Sequence, residues 1–220
     1  MPWQKTMTAE PLFHVKNVRY KKALSVDNLT ITAGNITCLV GKSGGGKTTL
    51  LRLLNKMISP DTGEVFYRGT PLSTLDSVAH RRRVVMLHQK PYVFPGTIRD
   101  NLLRPLTFRS EHAEDATLLA ALKRVSLDKA LDTDAETLSG GEAQRLALAR
   151  LMVLDVECVL LDEPSSALDE ATESDVINAV VSYVKTHALT LVMITHSKTI
   201  AQQHGDAVYT INNGHIKEGT

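Results

Sequence analysis

Between a short apolar run, Ile36 to Val40, and a leucine pattern at Leu50, Leu51, Leu53, Leu54 and Met57, the chain reads Gly41-Lys42-Ser43-Gly44-Gly45-Gly46-Lys47-Thr48. No other feature restricts the fold as tightly. A glycine-rich loop that leaves a buried strand and opens a helix can curl its backbone N–H groups around phosphate oxygens, and the helix points its positive end at the same place. The spacing G-x-x-x-x-G-K-[ST] acquires that meaning only with a strand before it and a helix after it, and both patterns are present. Lys47 is placed to reach β- and γ-phosphates, and the Thr48 hydroxyl is suited to ligating Mg²⁺. A chain built this way folds as alternating strands and helices.

The remaining pattern agrees. Two strands precede the loop: Leu12, His14, Lys16 and Val18 alternate against Phe13, Val15 and Asn17, then Leu24, Val26 and Asn28 alternate up to Ala33-Gly34. Short strands are predicted at Glu64–Tyr67 and Val84–His88. From Lys90 to Thr137 the character changes, with Pro91, Pro95 and Pro105 separating helical pieces, of which Leu118, Leu119, Leu122 and Val125 mark the clearest. The strand–helix rhythm then resumes: a helix from Ser139 with Leu146, Leu148 and Met152, a strand Cys158–Leu161, a helix Glu170–His187, and a strand Leu189–Ile194. Asn213-Gly214 between two short strands reads as a closing hairpin. The sum is an α/β fold with a mostly parallel sheet and helices on both faces.

Composition bounds the function. Lys and Arg number 25 against 24 Asp and Glu, a net charge of +1, which removes the electrostatic case for nucleic acid as a partner. No run of about 18 uncharged apolar residues exists to span a bilayer, and residues 1–10 do not read as a secretory signal. The two cysteines, Cys38 and Cys158, sit in apolar runs and are expected to be buried free thiols of a reducing cytosol. His80 with Arg81-Arg82-Arg83 reads as a solvated basic patch, Trp3 belongs to a loose tail, and the histidines show no metal-ligand spacing.

Two further motifs surround the loop. Asp162-Glu163 follows an apolar strand, where the ligands of a parallel sheet collect. Asp162 suits Mg²⁺, and Glu163 suits the role of general base toward water attacking a γ-phosphate. Leu138-Ser139-Gly140-Gly141-Glu142 opens a helix, and Ser139 with Glu142 fits a capping box. A helix that only needed a cap would not place two glycines in its first turn, each costing about 1 kcal/mol relative to alanine. Bare N–H groups at a positive helix end point to a second anion site.

In this order and over nearly the whole chain, Leu12 to Lys217, these motifs resemble the nucleotide-binding subunit of an ATP-binding cassette (ABC) transporter. Gly41–Thr48 resembles its Walker A loop, Val159–Glu163 its Walker B strand, and Leu138–Glu142 its signature, ending in Glu where Gln is commoner. Ser166-Ala167-Leu168-Asp169 resembles the D-loop, Gln89 with Phe94-Pro95-Gly96-Thr97 the Q-loop region, and His196 after Ile194-Thr195 the switch histidine.

The resemblance implies a P-loop NTPase (RecA-like) core with an N-terminal antiparallel β region, comprising residues 1–88 and 139–220, and a helical subdomain, 89–138, that docks a partner. It implies ATP contacts from Tyr20, against adenine, and from Gly41, Lys42, Ser43, Gly44, Gly45, Gly46, Lys47, Thr48 and Thr49. Ser139, Gly140, Gly141, Glu142 and Asp169 would contact the nucleotide of a second copy in a head-to-tail dimer. Catalysis would fall to Glu163, His196, Lys47 and Gln89, and Mg²⁺ to Thr48, Gln89 and Asp162. The implied function is an ATPase that drives transport through a separate transmembrane permease, placing it on the cytoplasmic face of the cell membrane. A soluble cassette of iron–sulfur cluster assembly is the competing reading.

Overall fold

The structure, a computed structural model, describes residues 10–165 and 170–218. Ten strands form one sheet: β1 (Pro11–Tyr20), β2 (Leu24–Thr32), β3 (Ile36–Val40), β4 (Thr62–Tyr67), β5 (Thr70–Pro71), β6 (Val84–Leu87), β7 (Cys158–Asp162), β8 (Thr190–Ile194), β9 (Ala207–Asn212) and β10 (His215–Glu218). Their spatial order is β5-β4-β1-β2-β10-β9-β3-β8-β7-β6. The half from β9 to β6 is parallel throughout, and β1, β2, β4 and β5 pair antiparallel, so the sheet is mixed with a parallel core. Seven α-helices, with two short 3₁₀ turns at Leu72–Thr74 and Ala135–Thr137, complete the described residues: α1 (Lys47–Leu54), α2 (Ser77–Arg83), α3 (Ile98–Thr107), α4 (Asp115–Arg124), α5 (Gly140–Met152), α6 (Glu170–Thr186) and α7 (Lys198–His204).

The parallel strands are apolar on both faces, and successive residues feed two cores. Leu39, Leu160, Val192 and Ile194 join Leu50, Leu51, Leu53 and Leu54 of α1 and the inner face of β1 and β2. Val159, Leu161, Leu191 and Met193 join Leu146 and Leu148 of α5, Val176 and Val180 of α6, and the helices of residues 89–138. This period-two division clamps the ends of β3, β7 and β8 side by side, which is where the site lies. Cys38 and Cys158 are buried and free, and burial pushes the Cys38 thiol up to about 11.

Several sequence expectations need correction. Simple alternation fails in β1, where Leu12, Phe13, Val15 and Val18 are all buried while His14 is half-exposed and Lys16 and Asn17 are exposed. Asn17 takes a left-handed φ of 50°, and the ladder with β4 shifts between Lys16 and Arg19. A bulge of this kind reverses the inward phase. In β2 the phase changes at the same level, so Leu29 and Ile31 point inward and Asn28 is exposed. Pro105 does not separate helices; it lies inside the last turn of α3, where it removes one i→i−4 hydrogen bond without ending the helix. In α4 the buried stripe is Leu118, Ala121, Leu122 and Val125, the i, i+3, i+4, i+7 set, and Leu119 is 49% exposed.

His80 is not part of a solvated patch. Its ring packs edge-on against Tyr67 at 4.9 Å, its Nε2 lies 2.8 Å from the Leu54 carbonyl, and only 3% of it is exposed. Helix α2, which the apolar pattern does not signal, turns that face inward. Strand β5 and helix α7 are likewise absent from the sequence reading, being too short for a periodic signal. Trp3, the stretch 166–169 and with it Asp169 lie outside the described residues.

Candidate functional site

Backbone contacts from distant strands shape the loop after β3. Gly41 has φ 136°, and a Cβ there would sit 2.1 Å from the Ile211 carbonyl oxygen of β9. Gly46 has φ 107°, and a Cβ there would meet the Ala23 carbonyl oxygen at 2.5 Å. No L side chain fits either place. Gly46 is also the N-cap of α1, and no side chain caps it, so the first N–H groups of the helix open toward the loop. The Lys47 ammonium spans the loop, donating to the Gly41 carbonyl at 2.8 Å and the Lys42 carbonyl at 3.0 Å. Burial holds this amine below the ordinary lysine range, against the pull of Glu163 and Asp162.

Asp162 ends β7, between β6 and β8, and is 6% exposed. The Thr48 hydroxyl donates to its Oδ1 at 3.1 Å. Burial pushes the Asp162 carboxyl up, the Thr48 hydrogen bond opposes that, and the Glu163 charge adds to it. Glu163 follows with a left-handed φ of 51°. Its Oε2 accepts from Gln89 Nε2 at 2.6 Å, and its Oε1 lies 2.7 Å from His196 Nε2. Gln89 comes from beyond β6 and His196 from beyond β8, so three adjacent strand ends deliver these side chains to one point.

Ala23, residues 43–49, Gln89 and Glu163 line a cleft of about 200 Å³. That is room for a chain of phosphates, with the rest of a nucleotide lying over the open surface. Tyr20 does not line it, but the turn after Tyr20 does, through Ala23, whose N–H donates to the Tyr20 carbonyl at 3.1 Å. Ala23 and Ile211 escape sequence reasoning because they act through backbone carbonyls brought in from far along the chain.

None of Ser139, Gly140, Gly141 and Glu142 lines this cleft. Ser139 caps α5 as predicted: its Oγ accepts the Glu142 N–H at 3.3 Å, and the Glu142 Oε2 accepts the Ser139 N–H at 2.9 Å. Those bonds, with Lys129 Nζ 3.0 Å from Oε1, hold the Glu142 carboxyl down at about 2. A Cβ on Gly140 would meet nothing within 4 Å, so packing within the chain does not require a glycine there. Gln144, fully buried, donates to the Pro164 carbonyl at 2.7 Å and ties this helix to the turn after Glu163.

Among the described residues no three or more His, Cys, Asp or Glu gather as metal ligands, and no helix is long and apolar enough to cross a membrane. Oxygen donors for a hard cation nevertheless meet where the Thr48 hydroxyl reaches Asp162, and Thr48 lines the cleft together with Gln89.

Residues 24–166 match the family model described as ABC transporter. Protein STAR1 of Oryza sativa subsp. japonica is 39% identical over 192 residues, which cover 87% of this chain and 56% of the rice protein. The probable iron export ATP-binding protein FetA of Escherichia coli (strain K12) is 35% identical over 206 residues, 91% of each chain. A dimeric structure of the ATP-binding cassette MJ0796, in a post-hydrolysis state bound to ADP and Pi, superposes with a TM-score of 0.84 at 26% identity, covering 94% of this chain and 98% of that one. With the phosphate loop, the acidic strand end and the capped glycine helix in place, the chain belongs to the ABC transporter family, as one of its ATPase cassettes.

Proposed function

We propose that the protein is the ATP-hydrolysing subunit of a transporter, closing head to tail with a second copy around two MgATP and driving a solute through a separate membrane permease. One observation carries this reading: two helix starts with glycine beside free first-turn N–H groups, at Lys47 and at Ser139, of which the second is exposed and takes no part in the first cleft. A single chain has no use for both on one nucleotide. FetA, of similar length, is named an ATP-binding protein, and the mycobactin importer IrtB of Mycolicibacterium thermoresistibile, 34% identical to this chain over 38% of its length, is named an ATP-binding/permease protein.

In this reading the loop N–H groups and Lys47 take the β- and γ-phosphates, Tyr20 takes adenine, and Ser139, Gly140 and Gly141 close on the other copy's γ-phosphate, with Asp169 at the interface. Lys47 releases the Gly41 and Lys42 carbonyls to do so. Glu163 removes a proton from the attacking water, and His196, 2.7 Å from it, orients the carboxylate and the γ-phosphate. A buried Asp162 whose ionised form is penalised by burial, with a hydroxyl at 3.1 Å, is a fitting host for a divalent cation. When bound, Mg²⁺ would neutralise phosphate charge there, held by Thr48 and Asp162 with Gln89 beside them. Gln89 also begins residues 89–138, the proposed docking subdomain, and so connects the site to the permease at the cytoplasmic face of the membrane.

Replacing Glu163 with Gln tests the assignment. Turnover should fall about 10²–10⁴-fold while ATP binding persists and ATP drives a stable dimer, read by gel filtration with light scattering. Normal turnover would remove Glu163 as the base, and a chain monomeric at saturating ATP would remove the dimer. Co-purification with a multi-span membrane protein tests the transport role; consistent recovery with soluble partners alone would overturn it.

A further inference from the structure

Glu142 occupies an electrically awkward place. Its carboxylate belongs to the first turn of α5, beside the N–H groups of Gly140 and Gly141, which are the ones left over after Ser139 and Glu142 satisfy each other. An anion arriving at those two groups gains the helix's positive end but meets a negative charge less than one turn away. One carboxylate oxygen is occupied by the Ser139 N–H. The other lies 3.0 Å from the ammonium of Lys129, which comes from the loop after α4, outside helix α5. Both partners are partly withdrawn from water, with the Glu142 side chain 20% and the Lys129 side chain 39% exposed. Capping alone does not call for this lysine, because a neutral glutamine closes the same box.

We propose that Lys129 is a positioning residue for the γ-phosphate of the second copy's ATP: it cancels the charge of Glu142, so that the Gly140 and Gly141 N–H groups present a positive surface, and it holds the carboxylate turned back onto Ser139. This rests on the head-to-tail dimer of the preceding section. Lys129 acts through Glu142 and touches neither the nucleotide nor the reacting atoms.

The full-length chain carrying Glu163→Gln serves as parent, and the readout is the ATP concentration at half-maximal dimer. Lys129→Ala should raise that concentration about tenfold, with ATP binding to the monomer and the thermal midpoint nearly unchanged. Lys129→Arg should restore the parent value. The discriminating arm is the thermodynamic cycle: in a Glu142→Gln background, removing Lys129 should change the dimerisation midpoint by less than about twofold, because no charge remains to cancel. An unchanged midpoint in Lys129→Ala, or an equal loss in both backgrounds, overturns the proposal while leaving the dimer reading intact. A parent that stays monomeric at saturating ATP overturns both.

Discussion

The side-chain amide of Gln89 donates to Glu163 Oε2 at 2.6 Å, joining the end of one parallel strand to the end of its neighbour. The opposite oxygen of Glu163 is engaged by His196. Glu163 itself sits at φ 51°, a conformation that costs a non-glycine residue on the order of 1 kcal/mol, so its carboxylate is held in a fixed place from both sides. For the carboxylate proposed as general base, such preorganisation removes motion that would otherwise precede attack.

Removing the amide should therefore slow the chemistry without emptying the site. Gln89→Ala is expected to lower ATP turnover about 10–100-fold, the usual worth of a group that orients a catalytic one. A fluorescent ATP analogue should bind within a few-fold of normal. Unchanged turnover would mean that Glu163 needs no support from Gln89.

Two glycines should separate folding from function. Gly41→Ala forces a Cβ against the Ile211 carbonyl at a φ of 136°, and should destabilise the chain by more than about 3 kcal/mol, seen as a lower thermal midpoint or insoluble expression. Gly140→Ala meets open space, so its thermal midpoint should stay within about 2 °C of the parent. If the second copy's phosphate seats against this helix start, as proposed, ATP-driven dimerisation of Gly140→Ala, read by light scattering, should nevertheless weaken.

Asp162 sets stability against function, and pH reveals it. Burial raises this carboxyl, so the unfolded chain ionises it more readily than the folded one. The penalty on the folded state grows as pH rises from the unfolded value of about 3.9 through the folded value, and is constant above it. Asp162→Asn should accordingly raise the thermal midpoint at pH 7 without nucleotide, with the gain fading as pH falls toward the unfolded value of about 3.9. MgATP at 100 times its dissociation constant should add about 2.7 kcal/mol to the parent and much less to the variant. Calorimetry with and without MgATP at pH 4 and pH 7 checks both statements.

Arg150 holds the segment after Gln89. Its guanidinium donates to the Tyr92 carbonyl and to Asn101 Oδ1, each at 3.0 Å, and stacks 5.0 Å from the Phe94 ring, while burial pulls it down to about 10. A lysine keeps the charge and loses the planar fork. Arg150→Lys should cost about 1–3 kcal/mol by chemical denaturation and speed proteolytic cleavage near residues 90–97, with ATP binding retained.

Much of the site was legible locally. Lys47, Thr48, Asp162 and Glu163 stand beside a strand end or helix start that their own neighbours announce, and the Ser139–Glu142 box closes within a single turn. The two-faced burial of β3, β7 and β8 was readable for the same reason, since continuous apolar runs mark strands covered on both sides. The burial of His80 depends on Phe13, far earlier in the chain, and on Tyr67, across the turn before α2, and the inward phase of β1 on two register shifts, at Pro11/Phe13 and around Asn17.

Residue types and spacings, which are local quantities, thus carried the phosphate loop, the strand–helix rhythm and the nature of the acids. Long-range packing carried the rest: the Ile211 and Ala23 carbonyls that demand Gly41 and Gly46, the meeting of Gln89 and His196 on opposite oxygens of Glu163, and the placement of Lys129 on Glu142. The physical reason is one of distance along the chain. A motif records what neighbouring residues can do together. Which strand ends stand side by side is set by the burial of two apolar faces at once, and no short stretch of sequence contains that information.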